Sequence, residues 1–219
     1  SIQSIDKKDL IGFKSAFLFN DISVTVAGDI NPDDFVKSVM PVLRSNKEKI
    51  PAPRIGVATD SFTDFEEYNS DIVDLCVGFP TPQFNLKDKV CFDLIVYHLG
   101  VGRSSALLKE LRYKQGLVYT VNAGTGVFPN RGFMRVNARC TIDNFQQVID
   151  EIKKVISNVD NSLTEKALDF LKIRILKSMI VKLQTAEDWV VSSEILQNLT
   201  TSATASDYVN QLNLINHRD

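Results

Sequence analysis

The spacing of hydrophobic positions changes twice along the first 60 residues. Apolar residues recur on one face over 4–17, which predicts a helix, and β-branched residues alternate over 22–30, which predicts a strand. Asn31 followed by Pro32 predicts the start of a second helix. Residues 47–60 carry charges and prolines without an apolar period, so they predict a linker. A single strand cannot close its own sheet edges, so we expect this segment to need a partner sheet.

Beyond residue 61 the predicted strands come in pairs and the predicted helices in blocks. That order favours an α+β fold, an antiparallel β-sheet with helices packed on one face in two layers, over a doubly wound parallel sheet. The predicted strands span 62–69, 71–79, 117–128 and 132–142, with a turn at 129–132, and helices are predicted to start at Asn85, Ser104, Asp143 or Asn144, Leu163, Thr185 and near Ser206.

Two glycines open the stretch between the first pair of strands and the second. Gly100 and Gly102 follow a predicted helix, and the third glycine of a dinucleotide-binding loop is missing. We therefore interpret them as a turn between two helices. The second of these helices breaks at Gly116 and is followed at once by a predicted strand.

Composition and charge limit the classes of partner and of site. The net charge of −2, with 25 basic and 27 acidic residues, gives no electrostatic reason to expect nucleic acid or an anionic membrane as a partner. No apolar run approaches the ~18 residues of a membrane span. The three cysteines form no C-x-x-C pair and are interpreted as small core residues.

The two histidines do not form a metal motif. His98 is followed by Leu-Gly-Val-Gly, so neither H-E-x-x-H nor H-x-x-E-H occurs there. We expect His98 to pair with the last carbonyls of its helix, and His217 to lie in a frayed tail. No zinc or other cofactor is therefore expected on this chain.

Arg112 and Tyr119 are the residues most open to a chemical role, because they flank the break at Gly116. In the ordinary interpretation Arg112 pairs with Glu110 or another neighbour on a solvated helix, and Tyr119 is a half-buried strand aromatic. In the functional interpretation the guanidinium and the phenol converge on a substrate carbonyl. Both are donors that stabilise negative charge developing on an oxygen.

The sequence around this pair resembles the second half of the pitrilysin family of zinc metallopeptidases. The seven-residue spacing from the arginine to the tyrosine matches the family pattern, and the matching segments occur in the family's order over most of the chain. The resemblance is carried by Gly102-Arg103-Ser104-Ser105, Glu110-Leu111-Arg112, Gly116-Leu117-Val118-Tyr119, Val26 to Pro32 and Leu163-Thr164-Glu165.

The resemblance implies an enzyme built from two similar α+β halves that close around a peptide. It implies that residues 1–46 end a preceding homologous half, that 47–60 are the linker, and that 61–219 form the zinc-free second half, truncated at its C-terminus. Zinc would be held by a partner half, in the same chain or in a second subunit. Arg112 and Tyr119 would contact the carbonyl of a peptide or protein substrate. The alternative is a catalytically inactive relative that acts as a scaffold or protein-interaction subunit.

Overall fold

The structure is a computed structural model that describes residues 4–17, 24–41, 61, 63–81, 85–128, 131–197 and 203–216. The chain divides into two compact units, residues 1–57 and residues 58–219.

The described residues of the first unit form the helices α1 (Lys7–Phe17) and α2 (Pro32–Val39). The predicted start of α2 is confirmed, because Asn31 Oδ1 accepts hydrogen bonds from the backbone N–H groups of Asp33 (2.9 Å) and Asp34 (3.3 Å). Residues 24–30, predicted as part of a strand that needs a partner sheet, pair with no described strand. Alternating β-branched residues favour an extended backbone, but a strand also needs a neighbour to accept its hydrogen bonds.

The second unit is built on a three-stranded antiparallel sheet in the order β1-β3-β2, and this confirms the α+β prediction. The strands are β1 (Ile72–Thr81), β2 (Val118–Phe128) and β3 (Arg131–Thr141). Phe128 pairs with Arg131, and the residues of the predicted turn between them, 129–130, lie outside the described part. The strand predicted over 62–69 is wrong for 63–69, where no ladder forms with a described strand. The side chains of Phe65 and Tyr68 in this segment are exposed.

The helices of the second unit begin at local caps. Asn85 and Thr204 each form a capping box with the aspartate three residues later, and Thr164 Oγ1 accepts from the N–H of Ala167 at 3.3 Å. Asn144 precedes α4 as predicted, but its side chain makes no capping hydrogen bond and donates instead to the carbonyl of Leu117. The helices are α3 (Leu86–Gly100), α4 (Phe145–Ser157), α5 (Val159–Ser162), α6 (Glu165–Lys182), α7 (Ala186–Gln197) and α8 (Ala205–Leu214).

Helix α3 takes part in both hydrophobic cores of this unit. Val96 and Leu99 pack with the buried face of the sheet, the turns before β2, and α4. Val90 and Leu94 pack with α6, α8 and Leu196 of α7. Because α3 is apolar on both sides, it reads as a buried helix rather than an amphipathic surface helix. It also lies very close to β2, since a Cβ atom on Gly100 would come within 2.1 Å of the backbone nitrogen of Ala123.

The segment after α3 departs from the predicted helix. Gly102 has φ +76°, which confirms a turn, but Ser104 does not cap the next helix. Helical structure begins at Ala106, and residues Leu108–Lys114 form a π-helix, with backbone hydrogen bonds one residue wider than those of an α-helix. The apolar period of a π-turn differs too little from that of an α-helix to be recognised in seven residues.

Candidate functional site

Arg112 lies in the π-helix with an exposed side chain. Glu110, the partner expected in the ordinary interpretation, binds Lys114 Nζ at 2.6 Å and Gln115 Nε2 at 3.1 Å instead. These hydrogen bonds lower the pKa of the Glu110 carboxyl, which is therefore ionised and already occupied at neutral pH. Within the described residues, nothing forms a hydrogen bond or ion pair with the Arg112 guanidinium.

A tight turn carries the chain from the π-helix into β2. Gly116 adopts φ +66°, and its N–H donates to the carbonyl of Arg112 at 3.2 Å. The N–H of Leu117 donates to the carbonyl of Leu111 at 2.8 Å, and both leucine side chains are buried. A glycine in the left-handed conformation, placed after the last helical residue and flanked by apolar contacts, is a common way to end a helix. The direction in which β2 leaves the π-helix is therefore fixed by backbone bonds and by packing.

Tyr119 lies at an irregularity in the ladder between β2 and β3. Val118 pairs with Cys140 and Thr120 with Arg139, so Tyr119 is the extra residue of a β-bulge. Val118 and Val121 are buried, whereas Tyr119 is 52% exposed and Thr120 is also exposed. A regular strand would have turned one of these two consecutive side chains into the core. The bulge leaves the Tyr119 phenol accessible to solvent. In a regular strand with Thr120 exposed and Val121 buried, the side chain of Tyr119 would point into the core.

The bulge lies at one end of a polar sheet face that no described helix of the second unit covers. Arg139 donates from Nε and Nη2 to the two carboxylate oxygens of Asp74, at 2.8 and 2.9 Å, and this pair lowers the pKa of Asp74. In the next row Asn137 donates to Asn122 at 3.2 Å. A shallow depression on this face, which we call the open face, is lined by Asp74, Leu75, Cys76, Thr120, Asn122, Asn137, Ala138 and Arg139.

Two exposed donors therefore follow one another closely along the chain, each at an irregular backbone position. The π-helix packs against β2, so the elements that carry Arg112 and Tyr119 are neighbours in space as well as in sequence. A guanidinium and a phenol can donate hydrogen bonds to an oxygen that gains negative charge, but neither is a base at neutral pH. Each side chain can therefore donate a hydrogen bond to a carbonyl oxygen, and neither supplies the nucleophile of a reaction.

His98 does not cap its helix as predicted. Its Nε2 lies 2.7 Å from the Ser162 hydroxyl of α5, a residue 64 positions away in sequence that the local pattern could not indicate. Burial lowers the pKa of His98, and the charge of Lys109 lowers it further, so the ring is neutral at pH 7. His98 is therefore a packing residue that connects α3 to α5, and His217 lies outside the described residues.

The described residues hold neither a metal-binding cluster nor a membrane-spanning helix. No group of three or more His, Cys, Asp or Glu side chains lies close enough to hold a metal ion within the described ranges. In that part of the chain, no helix has both the length and the apolar character needed to cross a bilayer.

Comparison with known protein families gives one match over most of the chain. The profile described as "Peptidase M16 inactive domain" matches residues 4–175. An uncharacterized zinc protease of Rickettsia felis is 23% identical, over 98% of this chain and 56% of its own length. One from Mycobacterium leprae is 24% identical, over 76% of this chain and 39% of its own length. The chain thus spans about half the length of the curated relatives it matches.

Solved structures share the fold. A protease from Helicobacter pylori is similar over 99% of this chain and 55% of its own, with a TM-score of 0.80 and 21% identity. A peptidase M16 inactive domain from Pseudomonas fluorescens is similar over 69% of this chain and 37% of its own, with a TM-score of 0.58 and 21% identity.

Proposed function

The chain belongs to the peptidase M16 family, as a member of its inactive-domain group, and on that premise we propose that it is the substrate-polarising half of a zinc endopeptidase. The membership confirms the resemblance to pitrilysin-type peptidases. In the proposal a partner half holds the zinc ion and activates the water that attacks the peptide. Arg112 and Tyr119 of this chain donate hydrogen bonds to the carbonyl oxygen of the bond that is cut.

The zinc-bearing half is proposed to lie in the part of the protein that this chain does not span. The relatives named as zinc proteases are about twice as long as their matched segments, which leaves room for a second half. We infer that residues 1–46 end that preceding half, 47–60 form the linker, and 61–219 form the zinc-free half. The division of the chain into compact units at residues 57 and 58 supports this boundary.

The observation that carries the catalytic assignment is that two neighbouring backbone irregularities, the π-helix at Arg112 and the β-bulge at Tyr119, each bear one exposed donor. Both irregularities cost backbone hydrogen-bond regularity, and both are enriched at functional sites. The guanidinium of Arg112 and the phenol of Tyr119 are both exposed and have no hydrogen-bond partner in the described chain. Glu110, two positions before Arg112 and therefore on another side of the helix, binds Lys114 and Gln115 instead.

The test uses the assembled peptidase with its zinc half present. Arg112→Ala and Tyr119→Phe should each lower kcat by roughly 10²–10³, the usual loss on removal of one carbonyl-polarising donor. KM should change little, because the donors act mainly on the charge that develops in the transition state. Lys109→Ala and Tyr113→Phe are matched controls, because both residues are exposed on the same helical segment.

Wild-type kcat in both Arg112→Ala and Tyr119→Phe would rule out the catalytic assignment. If the assembled protein cleaves no peptide although zinc is bound, the scaffold alternative is favoured instead. Equal losses in the control variants would assign the effect to folding of the segment rather than to the carbonyl contact.

A further inference from the structure

Two arginines on the open face of β3 have different surroundings. Arg139 lies opposite Asp74 of β1 and is neutralised by its carboxylate in a two-pronged pair. Arg135, on the same strand and the same face, lies opposite Gly78 of β1 and Gly124 of β2. No side chain therefore stands beside Arg135 where Asp74 stands beside Arg139.

The space beside Arg135 is empty on the side of Gly78, and on the other side the arginine side chain lies near the backbone of Gly124. A Cβ atom added at Gly78 would meet nothing within 4 Å, whereas one at Gly124 would lie 3.9 Å from Arg135 Nε. The Arg135 side chain is exposed, and no described residue forms an ion pair or hydrogen bond with its guanidinium. A guanidinium is always charged and has five N–H donors, so this is a permanent cation with unused donors.

The neighbours of Arg135 along the strand offer no compensating charge. On one side is Phe133, whose ring fills the space above Gly126, 2.2 Å from where a Cβ atom there would lie. On the other side is Asn137, a neutral amide bonded to Asn122. The one acid in the depression on this face, Asp74, is held by Arg139. The complementary ligand is therefore an anion, and a carboxylate fits because its two oxygens match the planar donor fork of arginine.

We propose that Arg135 binds an aspartate or glutamate side chain of a peptide held against the open face, and that it thereby selects substrates with an acid at one position. This inference rests on the proposed function for the identity of the ligand as a peptide. The neighbouring pair of Arg139 with Asp74 shows that the face accommodates a two-pronged arginine–carboxylate bond.

The sheet register gives the expected position of the acid. The row of Arg135 and Gly124 is four residues along the strands from the row of Arg139 and Thr120, beside the bulge at Tyr119. Four residues of strand span about 13 Å. An extended peptide parallel to the strands covers that length in about four residues. The preferred acid should therefore lie about four residues from the bond that is cut.

The experiment compares cleavage of paired peptides by the assembled peptidase. The peptides are identical except that a glutamate, or a matched glutamine, is moved one position at a time. In the wild type kcat/KM should favour glutamate roughly tenfold at one position, as for a hydrogen-bonded ion pair sheltered by bound peptide. Arg135→Gln should bring that ratio close to one.

Gly78→Asp provides a second variant that keeps the arginine. It places a carboxylate opposite Arg135, as Asp74 lies opposite Arg139, and should abolish the preference by occupying the guanidinium. Gly78→Asn is its neutral control and should retain the preference. A ratio near one at every position in the wild type, or a preference that survives Arg135→Gln, would overturn the proposal.

The two proposals fail in different ways. Loss of the glutamate preference in Arg135→Gln, together with wild-type kcat in Arg112→Ala and Tyr119→Phe, supports the acidic subsite and removes the catalytic pair. If no peptide is cleaved, the glutamate and glutamine peptides are labelled with a fluorophore. Their dissociation constants are then measured by fluorescence anisotropy. Tighter binding of the glutamate peptide that depends on Arg135 supports the subsite, and equal affinities overturn it.

Discussion

The guanidinium of Arg174 fills the space that a side chain on Gly102 would occupy. A Cβ atom at Gly102 would lie 2.5 Å from Arg174 Nη2, and the same nitrogen donates to the carbonyl of Val101 at 2.8 Å. Nη1 donates to the Ser104 hydroxyl at 3.2 Å, and the guanidinium carbon lies 5.8 Å from the centroid of the Tyr97 ring. One side chain of α6 therefore holds the turn that leads from α3 to the π-helix.

Gly102→Ala should destabilise the second unit by about 2–3 kcal/mol. The new methyl group combines the strain of φ +76° with displacement of Arg174 from its hydrogen bonds. Gly116→Ala is the matched control, since Gly116 has φ +66° but nothing within 4 Å of its added Cβ, and should cost only about 1–2 kcal/mol. Urea unfolding followed by Trp189 fluorescence measures both.

A double-mutant cycle separates the two costs of Gly102→Ala, which are the backbone strain and the displacement of Arg174. In an Arg174→Met background the difference between Gly102→Ala and Gly116→Ala should vanish, because the displaced hydrogen bonds are already gone. If the difference persists, Arg174 does not hold the turn.

Asp93→Leu should destabilise the fold by about 3–5 kcal/mol. Asp93 accepts from Lys89 Nζ, whose residue is only 9% exposed, and from the Tyr208 hydroxyl at 2.7 Å. Removing the acid leaves the lysine charge buried without a partner. The double variant Lys89→Met with Asp93→Leu should recover much of the loss, because no lone charge remains. Thermal and urea unfolding of the single and double variants measure this, and a double variant less stable than Asp93→Leu would contradict it.

The stability of the second unit should fall as the pH drops through the ordinary histidine pKa of 6.5, in part through His98. Burial and Lys109 lower its pKa in the folded protein below the ordinary 6.5. Below that value the unfolded chain takes up a proton that the folded protein refuses, so stability falls with pH until the folded-state pKa is reached. His98→Gln should flatten the pH dependence of the unfolding free energy. An equal slope in wild type and variant would show that His98 does not contribute.

Local sequence signals predicted the helix starts well and the irregular positions poorly. Asn31 and Asn85 were recognisable because a cap acts on backbone groups within three residues. The alternation over 24–30 and 63–69 was equally regular, but a strand depends on a partner that no local pattern supplies.

In the candidate site, too, features set by the local sequence were predictable and features that depend on distant residues were not. Arg112 and Tyr119 stood out because spacing and family resemblance are properties of the chain itself. The bulge and the open surroundings of Arg135 depend on strand register, which places Gly78 beside Arg135 from 57 residues away in sequence. Which arginine of β3 has a carboxylate opposite it is decided by the pairing of β1 with β3.

The position of α3 in both hydrophobic cores has a consequence for how the second unit comes apart. If α3 left the sheet, Val96 and Leu99 would be exposed together with Val90 and Leu94, so neither core can be opened through α3 without disturbing the other. Opening should therefore be all-or-none through this helix. Amide hydrogens of α3 should exchange last with solvent deuterium, at a rate set by global unfolding, and those of the peripheral α7 far earlier.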